Sequence, residues 1–163
     1  MKSSSIRAGV VAAWRGAFRE PPSFRTDDWL DGDTLEFLLG KDFEEILPLI
    51  DTPLEHTPVL SLLPLEAACY YAGSHLLDAL ETWERFLRKE WCLVWHVVSY
   101  WALLSHVKVP ENREWYRRTP ECERMVGEVF AFITGPLREA FPEEMSEEDL
   151  DELREIAREY GAS

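Results

Sequence analysis

Apolar positions recur at helical spacing over most of this chain. Leu65, Cys69, Ala72, Leu76, Leu80, Trp83 and Leu87 form a single stripe in steps of three and four. That spacing predicts an amphipathic helix of about six turns. Pro64 opens it, and Glu66 lies in the first turn, where the helix dipole favours an acid. Asp78, Glu81, Glu84, Arg85 and Arg88 are expected on its polar side. Ile6, Val10, Ala13, Trp14, Ala17 and Phe18 predict a first helix from about Ser5 to Arg19, stopped by Pro21–Pro22. Thr119-Pro120-Glu121 is a start signal for a helix with Met125, Val126, Val129, Phe130 and Ile133 on its core face. Gly135-Pro136 is expected to end it at Thr134, and Leu137 to Phe141 adds about one turn. Ser146 caps a last helix with acids in its first turn, a face of Leu150, Leu153, Ile156, Ala157 and Tyr160, and a stop at Gly161.

One stretch has apolar residues on every side of a helical wheel. Trp91–Val107 contains no Asp, Glu, Lys, Arg, Gly or Pro, the pattern of a helix covered by neighbours on most faces. A buried strand would be much shorter, typically about five or six residues. As a membrane span the run falls short, at roughly 25 Å against roughly 30 Å of hydrocarbon, and it carries His96, Ser99, Ser105 and His106. The expectation is an all-α fold: a single compact helical domain over residues 1–163, with about five main helices around a buried central helix at 91–107. The remainder reads as connection. Residues 23–33 suggest a loop, Asp33 or Thr34 caps a short helix that Gly40 stops, and Asp42–Leu47 makes another turn. Residues 48–63 form a proline-bearing connector, and Glu111 to Arg118 is either a helical turn or a loop.

Charge narrows the function. With 17 Lys and Arg against 31 Asp and Glu, the chain has a formal net charge of −14. Affinity for phosphate backbones comes from basic side chains displacing counterions, so nucleic acid is excluded as a partner. A basic protein partner is favoured. Asp27, Asp28, Asp31, Asp33, Glu36, Asp42, Glu44 and Glu45 concentrate the charge, with Trp29 among them as an anchor or interface residue. The stretch from Glu143 to Glu159 is a second acidic region, whereas the first 25 residues are net basic. Cys69, Cys92 and Cys122 lack metal-type spacing and read as reduced core thiols of a cytoplasmic protein. Arg15 interrupts the early apolar run, against a secretory signal, and an amphipathic first helix is preferred to a presequence.

Catalytic signals are sparse. No P-loop, dinucleotide fingerprint, HExxH, nucleophile elbow or calcium loop is present. Asp27, Asp28, Asp31 and Asp33 suggest a calcium loop, but Gly32 is misplaced and no glutamate closes it at position twelve counted from Asp27. Cys92 and His96 share a helix face, too few ligands for zinc, and read as core residues. His75 and Asp78 are an i, i+3 pair expected at the surface. His106, at a helix end, is expected to be structural, its imidazolium favoured by the dipole. No cofactor or metal is expected.

Leu62-Leu63-Pro64-Leu65-Glu66-Ala67-Ala68-Cys69-Tyr70-Tyr71, with Leu76 to Leu80, resembles the L-T-P-E-A-x-R-Y-Y-L-P-A-Y-L core of a family of small bacterial proteins of unknown function. Glu121 to Phe132 and Leu150 to Tyr160 are similar to that family's closing helices. Ala72-Gly73-Ser74-His75 departs from its Leu-Pro-Ala-Tyr, and Gly161 replaces its final Trp. The resemblance implies a small helical bacterial protein of the size and acidity of immunity proteins and antitoxins. The expected function is therefore an inhibitor that occludes a basic partner such as a nuclease toxin. The alternatives are a hydrolase or metal-dependent enzyme built on His75, Asp78 and Glu66 or on Cys92 and His96, and a homo-oligomeric scaffold.

Overall fold

The expected all-α architecture is the one the chain adopts. The computed structural model describes residues 3–25, 38–46, 59–87, 102–140, 143 and 146–162. They form α1 (Ser3–Ala17), α2 (Val59–Leu62), α3 (Leu65–Leu87), α4 (Pro110–Arg117), α5 (Pro120–Ala140) and α6 (Glu147–Glu159). Residues 102–108 are also helical, and no strand occurs among the described residues. The expected central helix is described only in that last part, where Ala102, Leu103, Leu104 and Val107 are buried; residues 91–101 lie outside the described residues.

The described core is organised around α3. It was expected to be amphipathic, but from Ala67 to Leu80 every residue that carries a side chain is buried, Asp78 and His75 included. The reason is the small residues on its nominally polar side, which let neighbours approach. α1 and α5 both pack on it and on each other, and α4 covers part of it. Trp14 of α1 is fully buried, and its indole N–H is shared between the Cys69 and Tyr70 carbonyls at 3.0 and 3.1 Å. A Cβ on Gly73 would lie 2.6 Å from the indole, so glycine is what allows the tryptophan to lie against α3. Segment 38–46 closes another side: the Tyr71 hydroxyl donates to the Leu38 and Lys41 carbonyls, and the Ser74 hydroxyl to that of Phe43.

α4 and α5 each begin with a proline, where its missing N–H costs nothing. The polar stretch from Glu111 is thus a helix, because Asn112 and Tyr116, four apart, bury one face. α5 does not stop at Gly135-Pro136 as expected but continues to Ala140. An internal proline costs about 3 kcal/mol. Here tertiary contact outweighs that cost: Ile133 and Thr134 are buried, α6 packs along α5, and Arg138 reaches Glu147 at 2.8 Å.

α6 agrees with its sequence signals. The Ser146 hydroxyl accepts the Asp149 N–H at 3.1 Å while the Asp149 carboxylate accepts the Ser146 N–H at 2.9 Å. Gly161, at φ +80°, ends the helix, with its N–H donating to Arg158 and the Ala162 N–H to Ala157. Gly127 of α5 abuts this end: an added Cβ would lie 2.6 Å from the Tyr160 carbonyl oxygen.

Candidate functional site

Of the residues expected to bind a partner, Asp42, Glu44 and Glu45 are described; Asp27, Asp28, Trp29, Asp31, Asp33 and Glu36 lie outside the described residues, as do Cys92 and His96. Gly40, at φ +71°, turns the chain so that Asp42 and Glu44 meet α1. Both carboxylates bind Arg15, whose guanidinium also lies 4.8 Å from the centre of the Phe43 ring. Asp42 further accepts the Glu44 N–H at 2.9 Å and the Tyr70 hydroxyl at 3.4 Å. The Arg15 hydrogen bond holds the Asp42 carboxyl below its ordinary range, whereas burial pushes the Tyr70 hydroxyl up to about 12. The Glu45 carboxylate accepts the Asp42 N–H at 3.1 Å. These acids therefore anchor their own segment to α1 as well as adding surface charge.

The second acidic region is differently arranged. Leu150, Leu153, Ile156, Ala157 and Tyr160 bury one side of α6, leaving Glu148, Glu152, Glu155 and Glu159 exposed at steps of four, three and four. Lys108 pairs with Glu152. No described cation pairs with the side chains of Glu148, Glu155 or Glu159. The helix beneath them is fixed by its caps and by the Tyr160 hydroxyl, which donates to the Val107 carbonyl at 2.7 Å.

The interior contains a polar chain that residue spacing did not reveal. The Asn112 amide donates to His106 Nδ1 and to the His106 carbonyl, each at 2.9 Å. With Nδ1 accepting, the neutral imidazole carries its proton on Nε2, which lies 2.9 Å from the Tyr116 hydroxyl oxygen. Tyr116 is fully buried, and burial, together with the nearby Cys69 thiol, holds its hydroxyl protonated. Burial drives His106 down to about 3 and Cys69 up to about 12. His106 is thus neutral, contrary to the expected imidazolium, because loss of hydration outweighs the helix dipole. The thiol is held protonated, a poor nucleophile. The useful signal was the i, i+4 spacing of Asn112 and Tyr116 on an otherwise polar stretch.

His75 and Asp78 are not the expected surface pair. They are 4 % and 5 % exposed, and His75 Nδ1 lies 3.0 Å from the Tyr71 carbonyl oxygen. Glu66 is exposed at the start of α3. Among the described residues, no three His, Cys, Asp or Glu side chains converge as metal ligands, and no helix is long and apolar enough to cross a membrane. Comparison with protein-family models, curated proteins and solved structures finds no match to this chain.

Proposed function

We propose that this chain is an acidic protein-binding module, of the immunity or antitoxin kind, that occludes a basic partner such as a nuclease toxin. The observation that carries this reading is the exposed face of α6, where Glu148, Glu155 and Glu159 project from a capped, buried-sided helix without cation partners among the described residues. Charges held on a rigid element lose little freedom on binding. Their field, added to the net charge of −14, accelerates encounter with a positively charged surface and opposes wrong partners. The Asp27 to Glu45 region extends the acidic surface in the sequence. The resemblance to small bacterial proteins supports the same context, and its motif residues Leu63, Ala67, Ala68, Tyr70 and Tyr71 serve packing.

The test is affinity capture from the native host at low salt, followed by titration of the captured protein. A basic partner should be bound, and binding should weaken at about 0.5 M salt, where exposed charges are screened beyond a few ångströms. Converting Glu148, Glu155 and Glu159 to Lys should weaken it further. Binding that survives both this triple change and Asn at Asp27, Asp28, Asp31 and Asp33 overturns the reading.

A further inference from the structure

Segment 38–46 presents a guanidinium site that is filled from within the chain. Both Asp42 carboxylate oxygens accept from Arg15, Oδ2 from Nη1 and Oδ1 from Nη2 at 2.9 Å, and Nη2 also donates to Glu44 Oε1 at 2.7 Å. The Phe43 ring, between these acids in sequence, has the guanidinium carbon 4.8 Å from its centre. Carboxylates for the fork of N–H donors and an aromatic ring for its face are what distinguish a guanidinium from an ammonium.

The two halves of this contact are held with different firmness. The acidic half is fixed without Arg15: the Phe43 N–H donates to the Tyr70 hydroxyl oxygen at 3.1 Å, the Ser74 hydroxyl donates to the Phe43 carbonyl, and the Phe43 ring is fully buried, edge to face with Tyr70 at 5.6 Å. Asp42 is held further by the Tyr70 hydroxyl and the Glu44 N–H. Arg15, by contrast, reaches in from α1 with its side chain half exposed. Among the described residues its hydrogen bonds go only to Asp42 and Glu44. A long side chain at the surface loses entropy when held in one geometry, so such a pair adds little stability and is readily exchanged.

We propose that Asp42, Phe43 and Glu44 form a recognition site for an arginine of the basic partner, and that Arg15 holds this site closed until the incoming arginine takes its place. The inference rests on the reading above and names the side chain by which that partner is recognised. The exchange replaces one guanidinium by another, so both carboxylates and the Phe43 face stay covered while Arg15 turns to water. A lysine would satisfy the charge but neither the fork nor the ring.

The probe is acetyl-Gly-Gly-Arg-Gly-Gly-amide, titrated at low salt into the isotope-labelled full chain. The Phe43 and Glu44 amide resonances are the readout, which separates this site from contact with α6. Arg15→Ala should bind the peptide about fivefold more tightly than the unaltered chain, a difference of about 1 kcal/mol and the scale on which an exposed pair holds a site closed. Arg7→Ala, the same change of charge on the same helix, should not. The lysine version of the peptide should bind more weakly, and adding Asp42→Asn with Glu44→Gln to Arg15→Ala should abolish the shifts. Circular dichroism establishes that each variant is folded, and if Arg15→Ala is not, Arg15→Gln replaces it. No gain in Arg15→Ala, an equal gain in Arg7→Ala, equal binding of the lysine peptide, or shifts that persist without the two carboxylates overturns the proposal. The broader reading fails separately. A captured partner that is weakened by the α6 changes but binds the unaltered and Arg15→Ala chains alike removes the arginine site and leaves the acidic module; the expected peptide results with no basic partner captured do the reverse.

Discussion

The hydrogen-bonded chain from Asn112 through His106 to Tyr116 and the ion pairs of Arg15 with Asp42 and Glu44 use polar groups for opposite ends. Inside, His106 and Tyr116 are almost wholly removed from water, and each is matched to a partner. Outside, Arg15 is half exposed and shares two carboxylates with the solvent. Losing an interior partner strands a desolvated group, costing about 1–3 kcal/mol, whereas water replaces a lost exterior partner. The interior therefore determines whether the fold holds, and the exterior is free to serve recognition.

The largest expected effect lies inside. Trp14→Ala removes the indole that bridges α1 to α3 and should destabilise the chain by about 3–5 kcal/mol in chemical denaturation. Tyr116→Phe keeps the ring but strands its partner, and about 1–3 kcal/mol should be lost. A loss below about 0.5 kcal/mol, the scale of an ordinary surface change, would break the distinction between interior and surface.

Acid should act on both regions, over different ranges. His106 has a folded-state value of about 3 against an ordinary 6.5, so the unfolded chain takes up the proton first. Stability should fall as pH drops from 6.5 towards 3, and thermal melts of His106→Gln should show a shallower decline across that window. Asp42, held below its ordinary 3.8 by Arg15, contributes stability that is present above 3.8 and is lost below it. Arg15→Ala should remove that lower step while costing about 1 kcal/mol or less at neutral pH, with sensitivity to salt. The smallest effect should come from α6. Gln at Glu148, Glu155 and Glu159 should leave stability within about 0.5 kcal/mol in the same denaturation measurement.

Local signals made α6 legible: a capping pair three residues apart, an apolar face, and a glycine stop all operate within the helix itself. Where long-range packing decides, the pattern misleads. Pro136 reads as a stop because the contacts that carry α5 past it come from α6. Asp78 and His75 read as exposed because nothing local shows that α3 is covered on every side from Ala67 to Leu80. The small residues of that helix, Ala67, Ala68, Ala72 and Gly73, were nevertheless a visible sign of close approach. For the site, the sequence displayed the charge but not its engagement: Asp42 meets Arg15 across 27 positions of chain, a pairing that only the fold creates. The His106 chain escaped notice because its members come from two separate elements, residues 102–108 and α4.

The placement of α1 bears on how the protein is made. Its tryptophan is bound to carbonyls 55 and 56 residues downstream, and its Ala13 carbonyl accepts from the Cys122 thiol 109 residues away. α1 is made before the elements it packs on, and it thus waits for α5 before both its apolar sides are covered. Contacts so distant along the chain slow folding. During synthesis Ile6, Val10 and Trp14 are a transient adhesive surface, available to chaperones or to neighbouring chains until the second half arrives.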